Sequence, residues 1–227
     1  MNIRLVFLIL VIVIFAVGTG FLSYSQSTGI PLTQAYANGN VVITQNTSAG
    51  TIPHKVNISN NGKDPVKVQV GDVLTSDSSQ DLVIAENKTL KINSTDLVSA
   101  YCIESAQRAV PGVKLKASGT SSNAIKQVIE GSNLNDLTNA TNTQVQIYIL
   151  TSGVDFNIYS GEPVAVVQNQ NINYTKLRQI VSDAKTALST RFGVTVDNIK
   201  DINQNTTSNS GNIANEFLNW VKTYTGV

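Results

Sequence analysis

Apolar and polar positions divide the chain into three regimes. The first is the stretch from Leu5 to Leu22, apolar or small throughout and free of charge. Its length is close to the roughly 20 residues with which a helix crosses a bilayer core. It has no polar face, which excludes a helix at the surface of a soluble core. Arg4 and the amino terminus are the only charges before it. Because positive charge stays on the cytoplasmic side, everything after Leu22 is expected outside. The run exceeds the about 7–15 residues of a signal h-region, yet Ser23 and Ser25 suit a signal peptidase. Residues 1–25 are therefore read as a transmembrane anchor or signal peptide, and residues 26–39, without charge or period, as a tether.

The second regime alternates. Val41 to Ile43, Lys55 to Ser59, Val66 to Val70, Leu82 to Ile84, Leu90 with Ile92, and Leu97 to Ile103 are short runs bounded by Asn, Asp, Gly and Ser, the signature of strands. Asn61-Gly62, between two of them, is a hairpin signal. Short, evenly spaced strands predict an antiparallel β-sandwich of immunoglobulin-like type over 40–117.

The third regime has the helical period. Ala124 to Ile129 is a short helix stopped by Gly131, and a second runs from Leu137 to about Thr151. Val164 to Val167 forms an element of undetermined type. Leu177, Ile180, Val181, Ala184 and Leu188 make an apolar stripe on a helix over Tyr174–Arg191, closed by Gly193. A last helix over about Ile213–Tyr224 presents Phe217, Trp220 and Val221. The expectation is an α+β chain: an N-terminal membrane helix, a β-sandwich, and a small helical domain over 118–227.

Composition narrows the function. The net charge is +1, Lys and Arg form no cluster, and only 14% of residues are charged, which argues against nucleic acid as a partner. Partners are reduced to the membrane, through the N-terminal run, and an unknown surface partner. One cysteine, Cys102, excludes a disulfide framework. N-x-S/T triplets begin at Asn46, Asn57, Asn87, Asn93, Asn139, Asn173 and Asn205, each a possible glycosylation site or a coincidence in an Asn-rich chain.

Few residues carry recognisable chemistry. His54, the single histidine, lies between Pro53 and Lys55 and is read as a surface-loop residue. Asp77 to Asp81 starts like a calcium loop, but Leu82 and Lys88 stand where such a loop has Gly and Glu. Glu104, Glu130, Asp155 and Glu162, with Tyr148, Phe156 and Tyr159, are the raw material of a glycosidase without its spacing. No catalytic residue, cofactor or metal ligand is assigned.

Two segments remain: Tyr101-Cys102-Ile103-Glu104 and Thr143-Gln144-Val145-Gln146-Ile147-Tyr148. They resemble the aromatic-Cys-hydrophobic and Thr-Gln-x-Ala motifs of thioester domains in bacterial surface adhesins, Gln146 replacing the Ala. The resemblance implies a thioester between the Cys102 and Gln144 side chains. Their surroundings also look like secreted proteins of archaea, which implies location alone. Without the thioester, Cys102 is a buried thiol at a strand end, the arrangement the flanking Tyr101 and Ile103 favour. The expected function is an extracytoplasmic cell-envelope module, membrane-tethered or secreted, that binds or builds without catalysis. The alternatives are a thioester-type covalent adhesin and a secreted carbohydrate-active enzyme.

Overall fold

The structure, a computed structural model, describes residues 29–202. In order it contains β1 (Ile30–Pro31), α1 (Leu32–Ala37), β2 (Val41–Gln45), β3 (His54–Asn60), β4 (Val66–Val68), β5 (Asp72–Thr75), β6 (Leu82–Ile84), β7 (Lys88–Leu90), β8 (Ser94–Cys102) and β9 (Lys114–Thr120). Then come α2 (Asn123–Glu130), α3 (Leu137–Ser152), α4 (Gly161–Asn169), α5 (Tyr174–Phe192) and a 3₁₀ turn, Val196–Asp201.

The expected sandwich is a closed antiparallel barrel in the order β2-β3-β8-β6-β5-β9. Alternation shows which side chains face inward, and it is the same for a sandwich and a barrel. Closure is decided by β9, which pairs with β2 at Ile43↔Leu115 and with β5 at Leu74↔Ala117. Only Leu115 of β9 is buried, so the closing strand has little apolar pattern to betray it. The register shift in β5 at Val73/Leu74, opposite Gly119 at φ +149°, supplies the bend that closure needs.

The Asn61-Gly62 hairpin does not form. Asn60 donates to the Asp64 and Lys91 carbonyls and accepts from Gly62 N, so the chain is turned off the barrel. The next strand, β4, joins a separate sheet, parallel to β1 and antiparallel to β7. Residues 30–37, within the stretch read as a tether, form β1 and α1, with Leu32 and Ala35 buried against the barrel core.

The helices cover the outer face of β6 and β8. Ser122, Asp136 and Asn173 cap α2, α3 and α5 by accepting backbone N–H groups, and Gly193 ends α5 in the left-handed conformation. The central helix α3 is buried from Ala140 to Leu150 except at Asn142. Strand β8 belongs to both cores: Val98, Ala100 and Cys102 point into the barrel, while Tyr101 points to the helices and meets Ser132 Oγ at 2.6 Å. No helix among the described residues is long and apolar enough to cross a membrane. The expected membrane helix over 1–25, Trp220 with the last helix, and Asn205 lie outside the described residues.

Candidate functional site at the mouth of the barrel

Strands β3 and β8 pair antiparallel with His54 opposite Ala100. The carbonyl and N–H of odd-numbered β8 residues serve β6, as in Ile103 N→Asp81 O and Ala85 N→Ser99 O, both 2.9 Å. Those of even-numbered residues therefore face β3. Because β3 begins at His54, Cys102 is left with an N–H and a carbonyl directed at a strand that is no longer there. Buried backbone groups must be paired.

The Gln144 side chain fills the gap. Its Oε1 accepts from Cys102 N at 2.9 Å, and its Nε2 donates to Cys102 O at 2.7 Å. Both residues are buried, at 0% and 1% exposure. The carboxamide thus takes the place of one more β3 residue. Tyr148 and Thr151 follow at i+4 and i+7 on the same helix face. Thr151 Oγ1 donates to Ile103 O at 2.6 Å, and Tyr148 enters the barrel core. Helix α3 is thereby docked along the end of β8.

His54 is not a surface residue. It shares the inward phase of Val56, Ile58 and Asn60 and is fully buried. Its Nε2 lies 3.1 Å from Glu162 Oε1. On its other side, Nδ1 is 3.0 Å from Thr47 Oγ1 and 3.3 Å from Gln45 Nε2. Glu162 stands in the first turn of α4 at 1% exposure. Its carboxylate also accepts from Gly50 N and from Ala109 N. Gly50, at φ +81°, has no room for a Cβ against the Ala165 carbonyl, so glycine allows this close approach.

A nitrogen of His54, Sγ of Cys102 and a carboxylate oxygen of Glu162 lie within 4.8 Å of one another. Burial, then the Glu162 charge, push the thiol well above its ordinary pKa, and contacts with Tyr148 and Gln80 pull it partly back. The sulphur is a neutral thiol at physiological pH. Burial, followed by Cys102 and Glu162, likewise raises the Tyr148 hydroxyl. Tyr148 Oη and both amide atoms of the fully buried Gln80 have no conventionally oriented hydrogen-bond partner.

This donor set also has the composition of a metal site. Nδ1 of His54 faces Thr47 and Gln45, so Nε2 is the nitrogen directed at the other two donors. Outside the cluster, a surface groove of about 530 Å³ is bordered by Ser48, Ala49, Arg108, Ala109 and Ala165. Its walls are the loops that hold Glu162.

Sequence reading had paired Cys102 with Gln144 through motifs, and the fold brings them into contact. Cys102 is buried, in keeping with its apolar neighbours. His54 and Glu162 were missed as partners. The available signal was His54's phase with Val56 and Ile58; nothing in the sequence marked Glu162. Of the other acids, Glu130 and Asp155 are on the surface. Asp81 accepts from Ser76 N within its own turn. Asn46, Asn87, Asn93, Asn139 and Asn173 are exposed and Asn57 is half-buried on β3; Asn173 caps α5 and Asn139 Oδ1 accepts from Asn133 N. No family model, curated protein or solved structure matches the chain.

Proposed function

We propose that the protein is an extracytoplasmic surface module that closes a thioester between Cys102 and Gln144 and uses it to acylate a nucleophile on a partner. One observation carries this reading: the Gln144 carboxamide is held by both its polar atoms against the residue that bears the thiol. Attack of Sγ on the carboxamide carbon forms the S–C bond, breaks the C–N bond and releases ammonia. Negative charge develops on Oε1, where Cys102 N–H already donates, the arrangement of an oxyanion hole. Nε2, bonded to the Cys102 carbonyl, is fixed as the leaving group.

The two remaining readings from the sequence are a binding or structural module without this bond, and a carbohydrate-active enzyme. The second is disfavoured because the acids do not gather into a pair: Glu130 and Asp155 are on the surface, while Glu162 is buried at the barrel mouth. Burial suits the thioester. An acyl group stored at 0–1% exposure is shielded from hydrolysis. Export follows from the apolar N-terminal run and Arg4.

Intact-mass measurement tests the reading. The purified chain should fall short of its calculated mass by one ammonia, and methylamine should add to it. Cys102→Ala and Gln144→Ala should each restore the full mass and block addition. A wild-type chain of full mass with a free thiol would leave only the binding or structural module.

A further inference from the structure

We infer that Glu162 is the general base that closes the Cys102–Gln144 thioester, with His54 as its positioning residue; the inference rests on the thioester reading above. A neutral thiol attacks an amide poorly, and the amide nitrogen leaves only after gaining a proton. The site therefore needs a group that takes one proton from sulphur and returns it to nitrogen. A Glu162 oxygen is within 4.8 Å of Sγ, and the carboxylate is buried among N–H donors from Gly50, Ala109 and His54. Those donors suit an anion, since an ionised carboxylate only accepts.

The state of His54 follows from its other neighbours. Gln45 Nε2 is fixed as nitrogen because it donates to Thr47 O at 2.8 Å. It also faces Nδ1, so Nδ1 accepts and the ring proton is on Nε2, pointing at Glu162. That Nε2–H orients the carboxylate. The titratable groups facing Glu162 are His54 from β3, Cys102 from β8 and Tyr148 from α3. Arg108, exposed, reaches Gly161 O at 3.1 Å from the loop after β8.

The step is balanced. The thiol proton passes to Glu162, Sγ bonds to the Gln144 carbonyl carbon, and the proton moves on to Nε2 of Gln144, which departs as ammonia. No oxidant, reductant or metal takes part. Glu162 ends ionised, as it began.

The test refolds the full chain from denaturant, where Gln144 is unreacted, and follows ammonia loss by intact mass. Cooperative melting checks the fold in parallel. Glu162→Gln, which keeps shape and an acceptor for Gly50 N–H, should slow closure on the order of 100-fold or more. Wild-type closure should slow as the medium is acidified from about pH 8 to about pH 4, because a carboxylate acts as a base only while it is ionised. His54→Gln should slow it less and leave the acid limb in place. Folded Glu162→Gln closing at the wild-type rate overturns the inference while leaving the thioester intact. If that variant fails to fold, a flat wild-type pH profile overturns it instead. Absence of any ammonia loss from the wild type removes the thioester reading and this one with it.

Discussion

The substitution Gln144→Leu, made in a Cys102→Ala chain, isolates what the carboxamide does for the fold. The Cys102→Ala background removes any covalent bond and keeps the main-chain N–H and carbonyl that Gln144 satisfies. Leu fills nearly the same volume, so the packing of α3 against β8 is retained. What is lost is two hydrogen bonds, at 2.9 and 2.7 Å, to backbone groups with no other strand beside them. Each buried group left unpaired costs about 1–3 kcal/mol, so the pair costs about 2–6 kcal/mol. Folded domains hold only about 5–15 kcal/mol in total. At about 2–4 °C per kcal/mol for this size, the melting midpoint should drop by roughly 4–24 °C. Gln146→Leu in the same background is the control. That side chain is equally interior, but its Oε1 has no partner and its Nε2 meets only Asn142, at 2.7 Å. It should be neutral or stabilising. Denaturant unfolding followed by circular dichroism measures both. If Gln144→Leu costs less than about 0.5 kcal/mol, the carboxamide is not a surrogate strand, and the account of the barrel mouth is wrong.

Two further outcomes follow. Burial raises the Asp72 carboxyl above its ordinary 3.8, against the lowering effects of Gln69 N–H and Lys126. A raised folded-state value means the contribution to stability is present below about pH 4 and lost as pH rises through the folded value. Asp72→Asn, which keeps an acceptor for Gln69 N–H, should therefore be more stable than wild type at neutral pH, and the gap should narrow on acidification; melts across that range showing a constant gap would refute the assignment. Separately, a protease added to intact cells should remove the folded portion of the chain, and full protection beside a digested surface control would place it inside.

Much of the fold was legible where one face of an element is wet. The alternation of Val56 and Ile58 found β3, and the Leu177–Leu188 stripe found α5 nearly to the residue. Legibility failed where burial is total or nearly absent. Strand β9 buries only Leu115 and half-buries Ala117 and Gly119, so its inward face is too weakly apolar to read. Helix α3 was found at Leu137 to about Thr151, but it buries Thr141, Thr143, Gln144 and Gln146 along with its apolar residues, so its central place was not readable from its pattern. Local signals also lost to long-range ones: Asn61-Gly62 turns the chain, but toward β1 and β7, because Asn60 is tied to Lys91. At the site, motifs linked Cys102 with Gln144, whereas the meeting of His54 and Glu162 depends on the first turn of α4 reaching the end of β3. No spacing between positions 54 and 162 encodes that.

The distance along the chain between Cys102 and Gln144 has a mechanical meaning. They are 42 positions apart, and β9 and α2 lie between them. In the cross-linked protein, tension applied at the two ends would run along β8, through the new bond and into α3. Strand β9, with only two residue pairs joining it to β2, would be left slack inside a covalent loop. That thin seam would then lie off the covalent load path. A tether under shear at a cell surface would be limited by the strands before Cys102, where seven residue pairs join β3 to β8.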